Sequence, residues 1–376
     1  MNDKRPICVV TSTIPATLRI FHQELIRQID EKGYRVVAVS SPGRDLTEIA
    51  ERTAADTTAI PMTRDISPFA DLHALFAWLR LLRKLQPEVI ITATGKASLL
   101  GLVAAAVLAV PTRIYYLGGL RLEVEIGIRR RILSLAERLT ACLATDMVCN
   151  SRSLRRAYIR QGLVRPHTKL RVTVPGSSHG VDCSYYSPRH PDPSLMAHIG
   201  LRADIPVVGF VGRIREDKGI GVLATAIENL REAGVPCQLL LVGPRETRGG
   251  SALIARLKAL PQTVCIGLVD DVRPYYSLMD VHVLPSFREG FPNVVLEASA
   301  MGIPTVTTDA TGCVDSVING VTGKIVPIAD ANALADALRA LLGDAAKRRS
   351  MGLRARSVVQ AQYRPMAVVA SLLGDL

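Results

Sequence analysis

The chain reads as two doubly wound α/β domains, each built on a parallel sheet. Three observations predict this. Short apolar runs alternate with helical patterns from end to end, a proline-rich break interrupts them near the middle, and the length is 376 residues. One hydrophobic core stops growing at about 250–300 residues, so a second domain is expected. Strands buried on both faces read as continuous apolar runs, and helices between them cover the sheet.

In the first half the strand-like runs are 7–12, 35–40, 88–92, 113–117, 147–150 and 169–174. Helical periodicity fills 21–31, 72–85, 130–143 and 153–161 between them. Residues 187–194 then pack three prolines into eight positions and read as a linker. A second series follows at 206–211, 238–242, 264–266, 281–284, 305–307 and 324–326. The expected domains are therefore 1–187 and 188–360, with a terminal helix over 361–376 returning to the first domain. Sheets of this kind bind ligands at the carboxyl ends of their strands, and a two-domain version is expected to place its site in the cleft.

Composition narrows the class. With 48% apolar residues and ordinary glycine and proline usage, disorder and fibrous repeats are excluded. The seven cysteines are scattered, odd in number and free of C-x-x-C pairs, which fits reduced core residues in a cytoplasmic protein. The longest uncharged stretch, centred on 99–110, is shorter than a membrane span requires, and the apolar run at 7–10 is too short for a signal peptide. Net charge is +12, and it is uneven. Residues 1–187 hold 26 Lys and Arg against 16 Asp and Glu, leaving +2 for the remainder.

Chemistry concentrates in two segments of the second half. In Val207-Val-Gly-Phe-Val-Gly-Arg-Ile-Arg-Glu-Asp-Lys-Gly219 a strand ends at Gly212, and Arg213 and Lys218 flank a tight loop before a helix. Glycine allows close backbone approach, a helix N-terminus favours an anion, and two cations can converge on a diphosphate. A solvated strand–helix loop is the plainer reading. In Ser286-Phe-Arg-Glu-Gly-Phe-Pro-Asn-Val-Val-Leu-Glu-Ala298, Glu289 precedes a helix opened by Pro292 or Asn293, and Glu297 lies one turn inside it. Carboxylates accept hydrogen bonds from sugar hydroxyls, and N–H groups at the helix start suit phosphate or hydroxyl oxygens. A helix-dipole glutamate would account for Glu297 but not for Glu289-Gly290-Phe291-Pro292.

Together these motifs resemble the retaining GT-B glycosyltransferases of family 4. The carriers are Gly-Arg-x4-Lys-Gly at 212–219, Glu-x7-Glu at 289–297, Leu240-Leu-Val-Gly-Pro244 and Gly267-x-x-Asp-Asp271. The first half is similar to a bacterial capsular and exopolysaccharide branch. It carries Ser40-Ser-Pro-Gly43, Arg64-Asp-Ile-Ser-Pro68, Lys96-Ala-Ser-Leu-Leu-Gly101, Gly119-Leu-Arg-Leu-Glu123 and Gly176-Ser-Ser-His-Gly-Val-Asp182. The resemblance spans roughly residues 7 to 365.

It implies two Rossmann-like domains, the first binding acceptor and the second a nucleotide-sugar, with UDP the expected nucleotide. Arg213 and Lys218 would neutralise the donor diphosphate, Glu297 would hold the ribose hydroxyls, and Glu289 the transferred sugar. Gly212, Gly290, Phe291, Pro292 and Asn293 would contact sugar and phosphate, and Val269 the base. The catalytic set is then Glu289, Arg213 and Lys218. The chain lacks an Asp-x-Asp, so the cations are expected to replace a metal, with no cofactor. The expected acceptor is a polyprenyl-diphosphate-linked saccharide. A soluble acceptor, a nucleotide-sugar epimerase of the same architecture and a non-enzymatic sugar-nucleotide sensor are the alternatives.

Two departures fall in the first domain. Ala93 or Thr94 stands where the family often has histidine, and Thr11-Ser-Thr-Ile-Pro15 replaces a glycine-rich loop. Lys96, Arg121 and His179 are the acceptor-side candidates. The basic excess, with Trp78 among leucines and arginines at 71–85, Arg129–Arg131 and Arg152, Arg155, Arg156 and Arg160, predicts a peripheral protein on the anionic inner face of the cell membrane. An amphipathic helix packed on the sheet is the competing reading of 71–85. Nucleic acid is disfavoured, since 4% aromatic residues offer few stacking platforms.

Overall fold

The structure, a computed structural model, describes residues 5–63, 65–164, 170–245 and 250–374. Arg64 of the 64–68 motif and Lys169 at the start of one expected strand lie outside them. The chain forms two units: residues 1–179 with 365–376, and residues 180–364.

Unit 1 runs β1 (Ile7–Thr11), α1 (Pro15–Phe21), α2 (Gln23–Glu31), β2 (Arg35–Ser40), α3 (Arg44–Arg52), β3 (Asp56–Ala59), α4 (Pro68–Leu85), β4 (Val89–Ala93), α5 (Gly95–Val107), β5 (Thr112–Leu117), α6 (Gly127–Leu143), β6 (Asp146–Cys149), α7 (Arg152–Arg160) and β7 (Leu170–Val172). All neighbours are parallel, in the order β3-β2-β1-β4-β5-β6-β7. One apolar cluster joins α4, α5 and α7 to one face of the sheet, and another joins α1, α2 and α3 to the opposite face.

Unit 2 runs α8 (Pro193–His198), β8 (Val207–Val211), α9 (Ile220–Glu232), β9 (Gln238–Val242), α10 (Gly250–Ala259), β10 (Thr263–Gly267), α11 (Arg273–Tyr276), β11 (Val281–Leu284), α12 (Asn293–Ala300), β12 (Thr305–Thr308), β13 (Gly323–Val326), α13 (Ala331–Leu342) and α14 (Ala345–Gln362). Its sheet is again parallel, in the order β10-β9-β8-β11-β12-β13. The last helix, α15 (Pro365–Leu373), belongs to unit 1. It buries Val369, Leu372 and Leu373 with Ile26 and Ile29, and its Met366 carbonyl accepts from Gln28 at 3.1 Å.

The sequence pattern misses β3, whose Asp-Thr-Thr-Ala carries no apolar alternation because it is a half-exposed edge strand. The unit boundary lies at 179/180 rather than near 187. Proline punctuation marks the loop, but Val181, Cys183 and Tyr186 before it already pack into unit 2, and the Val181 amide donates to the Tyr363 carbonyl at 2.9 Å. The crossing back comes at 364/365, between α14 and α15. Of the cysteines, Cys8, Cys149, Cys237 and Cys313 are buried and Cys183 and Cys265 half-buried, but Cys142 is exposed on α6. Trp78 is fully buried in the unit 1 core, so it is a packing residue and not an interfacial one. No described helix is long and apolar enough to cross a membrane.

Candidate functional site

Strand order reverses in unit 2 between β8 and β11, which lie side by side. Open α/β sheets bind ligands at such a switch point, beyond the carboxyl ends of the strands. The two loops that leave these strands are the ones that carry the paired motifs.

Beyond β8 the chain turns at Gly212, whose φ of +147° favours glycine. Its amide donates to the Val242 carbonyl at 2.9 Å. A Cβ at Gly243 would stand 2.0 Å from the Gly212 oxygen, so the ends of β8 and β9 touch through bare backbone. Gly219 then adopts the left-handed conformation at φ +68° to open α9. A Cβ there would meet the Pro285 oxygen at 1.9 Å. The loop after β8 is thus pressed onto the loop after β11.

The contact is elaborated by Asp217. Its carbonyl accepts the Phe287 amide at 2.9 Å, and its carboxylate pairs with Arg215 at 2.7 Å and Arg288 at 3.2 Å. Glu289 is fixed through its own backbone, which donates to the Thr311 carbonyl at 2.8 Å. The Lys218 ammonium donates to Glu289 Oε1, and the Ser286 hydroxyl donates to the same oxygen at 3.0 Å. Two residues predicted to serve different parts of a ligand therefore meet in one ion pair, largely shielded from water.

Glu297 stands one turn inside α12, as the spacing predicts, and its Oε2 accepts from the Tyr276 hydroxyl at 3.0 Å. Burial pushes its carboxyl up to about 7, with the tyrosine bond pulling the other way. Tyr276 is itself fully buried, its ring edge-on to Tyr186 at 6.3 Å and near His282 at 6.0 Å. Val269 packs on the same cluster. Gly290, Phe291, Pro292 and Asn293 are buried at the start of α12, with Phe291 against Tyr363 at 5.7 Å. Arg213 is exposed just beyond Gly212.

The acceptor-side candidates divide. Lys96, in the first turn of α5, pairs with Asp71 at 2.6 Å and donates to Thr63 at 3.0 Å and to the Asp65 carbonyl. Arg121 pairs with Glu125 at 2.8 Å, Glu125 with Arg129 at 3.3 Å, and Arg129 with Asp65 at 3.6 Å. Lys96 and Arg121 are thus linked through Asp65, whose carbonyl accepts from Lys96 and whose carboxylate meets Arg129. His179 lies apart, its ring 5.2 Å from Phe21 and its Nδ1 3.1 Å from the Ser178 hydroxyl. Burial, with neighbouring His22 adding to it, lowers His179 to about 4, and burial alone does the same to His22.

The two departures from the family pattern also meet. They sit after β1 and β4, the switch point of unit 1. Thr94 occupies a positive φ of +71° and its hydroxyl accepts the Thr13 amide at 2.8 Å; the two hydroxyls share a further bond of 2.8 Å. The Thr13 hydroxyl in turn accepts the Ala97 amide at 3.2 Å. Where the resemblance led to the expectation of a histidine and a glycine-rich loop, this chain has a threonine clasp.

Asp217, Tyr276 and Ser286 were not singled out from the sequence. Tyr276 sits 21 residues from Glu297 on another helix, and no local pattern marks it. Asp217 lies inside the recognised loop two residues after Arg215, but its second partner, Arg288, comes from the other loop and has no local signal.

Two parallel doubly wound units, with paired loops at the switch point of the second, are the architecture of a GT-B glycosyltransferase. Comparison with known proteins agrees. Residues 205–344 match the "Glycosyl transferases group 1" model and residues 19–176 the "Glycosyl transferase 4-like domain" model. The chain is 35% identical over 340 residues to the capsular polysaccharide biosynthesis glycosyltransferase CapM of Staphylococcus aureus, covering 90% of this chain and 88% of that one. It is 25% identical over 291 residues to the Escherichia coli UDP-Gal:alpha-D-GlcNAc-diphosphoundecaprenol alpha-1,3-galactosyltransferase, covering 74% and 72%. Anabaena Alr3699/HepE, solved in complex with UDP and glucose, superposes with a TM-score of 0.79 at 19% identity, over 99% of this chain and 100% of that one. The chain belongs to the group 1 glycosyl transferases, with a 4-like N-terminal domain, and is a glycosyltransferase.

Proposed function

We propose that this enzyme transfers a sugar from a UDP-linked donor to a polyprenyl-diphosphate-linked saccharide, with retention of anomeric configuration and without a metal, at the cytoplasmic face of a membrane. The observation that carries this reading is the Lys218–Glu289 pair, set on adjoining loops with Glu297 one turn into α12. An ammonium has three donors, so Lys218 can hold Glu289 and a phosphate oxygen at once. Arg213 adds a second cation, Glu289 accepts from hydroxyls of the transferred sugar, and Glu297 accepts from the ribose.

In the reaction the acceptor oxygen bonds to the anomeric carbon as the bond from that carbon to the diphosphate breaks. The acceptor proton passes to the departing diphosphate oxygen, and UDP leaves. Arg213 and Lys218 stabilise the charge that develops there, so the protein works by positioning and electrostatics. Support comes from the relatives: the E. coli enzyme is named for UDP-Gal and a diphosphoundecaprenol acceptor, and HepE was solved with UDP.

The test incubates purified enzyme with UDP-, GDP- and ADP-sugars, with and without undecaprenyl-diphosphate-linked N-acetylglucosamine. Release of UDP only with acceptor, and an α-linked product by NMR from an α-linked donor, are expected. Conversion of the donor to its epimer without acceptor would replace this reading with an epimerase. Turnover on soluble saccharides alone would reassign the acceptor.

A further inference from the structure

We infer that the outer faces of α4 and α6 form the surface by which this protein docks onto an anionic lipid bilayer. This deepens the membrane partner proposed above, and it stands on surface chemistry that does not depend on donor or acceptor.

On α4 the residues Phe69, Leu72 and Phe76 follow one outward stripe at helical spacing, while Ala74, Trp78 and Leu82 face the core. Phe69 is 88% exposed. On α6 the stripe Ile128, Ile132, Leu135 and Leu139 is also outward, with Ile128 71% and Leu135 70% exposed. Both helices pack on α5. Residues of α4, α5 and α6 share one core cluster, so the two stripes lie on the outer side of one helical layer, and the Arg129–Asp65 contact of 3.6 Å ties the start of α6 to the segment leading into α4. Exposed apolar faces on two helices of one layer mark an interaction site.

Charge decides what covers them. Arg129, Arg130, Arg131 and Arg138 lie on α6, and Arg80, Arg83 and Lys84 continue the α4 surface. The carboxylates of the same helices point elsewhere. Glu137 of α6 turns inward to accept from the hydroxyls of Tyr115 at 2.9 Å and Tyr158 at 3.0 Å, and Asp71 of α4 is held by Lys96. An apolar face rimmed by cations suits the headgroup and acyl boundary of an anionic leaflet. A second copy of the chain would bring like charges together. The α7 arginines, by contrast, accompany no apolar stripe, and Arg155 donates to the Leu170 carbonyl at 2.9 Å.

Flotation with vesicles of phosphatidylcholine alone and of phosphatidylcholine with phosphatidylglycerol tests this. The full chain is expected to float with the anionic vesicles only. The triple variant Phe69→Ser, Ile128→Ser, Leu135→Ser should stay in solution while melting at the wild-type temperature, since exposed sites carry little packing. Arg129→Gln with Arg131→Gln should weaken binding roughly 25-fold, at about 1 kcal/mol, or fivefold, per arginine near an anionic surface. Arg152→Gln with Arg156→Gln on α7 should float as the parent does. Flotation of the triple variant, or its loss in the α7 variant, would overturn the assignment. So would a wild-type dimer in size-exclusion that the triple variant turns into a monomer, because the face would then belong to a second copy. The vesicles carry no sugar acceptor, so failure here leaves the transferase reading intact.

Discussion

Lys218 and Glu289 lie 71 positions apart in sequence and share an ion pair across the switch point of the second sheet, with Ser286 donating to the same carboxylate oxygen. The pair orders two loops before any ligand must be held, and it gives each residue a double role. On the proposed reading Lys218 would answer a phosphate while fixing Glu289, and Glu289 would answer a sugar while fixing Lys218. Glu289→Gln keeps the size of the side chain but removes its charge. It is expected to lower kcat by about 100- to 1,000-fold, the scale of a lost transition-state contact, while UDP alone binds nearly as before. Lys218→Ala should instead weaken UDP binding by about tenfold or more, the worth of a charge-assisted hydrogen bond. Calorimetry with UDP and steady-state kinetics separate the two, and equal losses in both assays for Glu289→Gln would refute its assignment to the sugar.

Glu297 should give donor binding a pH step. Its carboxyl is raised to about 7 by burial, and only the ionised form accepts from two ribose hydroxyls. UDP affinity is therefore expected to fall as pH drops through about 7, and Glu297→Gln should flatten that step. Tyr276→Phe removes the bond that favours ionisation, so the midpoint should move up. The sign for stability is opposite. The folded state binds this proton more tightly than the unfolded chain, so stability declines as pH rises from 4.5 to about 7. Glu297→Gln should then stabilise unit 2 by about 3 kcal/mol above that range, read from urea unfolding.

Gly219→Ala tests the closeness of the two loops. The new methyl would have to share space with the Pro285 oxygen at a left-handed backbone position. A loss of about 2 kcal/mol or more is expected, together with weaker UDP binding, because Lys218 is the preceding residue. Gly234→Ala, also at positive φ but with open space around its Cβ, should cost only about 1 kcal/mol and leave UDP binding unchanged.

Unit 1 should be acid-sensitive in a defined window. His22 and His179 have folded values of about 4 against an ordinary 6.5, because burial disfavours the imidazolium. Between those values the unfolded chain binds more protons, so stability is complete above 6.5 and is lost as pH falls towards 4. His22→Phe should recover about 2 kcal/mol of the loss at about pH 5, measured by urea unfolding at matched ionic strength. An unchanged pH slope in that variant would place the sensitivity elsewhere.

Much of the architecture was legible in the chain. Buried parallel strands such as Val207–Val211 and Gln238–Val242 are apolar throughout, and that signal is local. The edge strand Asp56–Ala59 was not legible, because its register comes from pairing with β2 and not from its own side chains. The boundary between the units was displaced for a related reason. Prolines mark where the chain cannot continue a helix or strand, whereas the boundary follows where Val181 and Tyr186 find apolar partners.

The same division holds at the site. By itself the sequence determined where the cations and carboxylates fall, since Gly-Arg-x4-Lys and Glu-x7-Glu place them at strand ends and helix starts. Only tertiary structure decided how they act on one another. Strand order sets β8 beside β11, and that neighbourhood makes Lys218 and Glu289 a pair and Tyr276 the partner of Glu297. It also decided that Trp78 is core while Phe69 and Ile128 face solvent. An amphipathic pattern defines two faces, but which of them is covered depends on what packs against it.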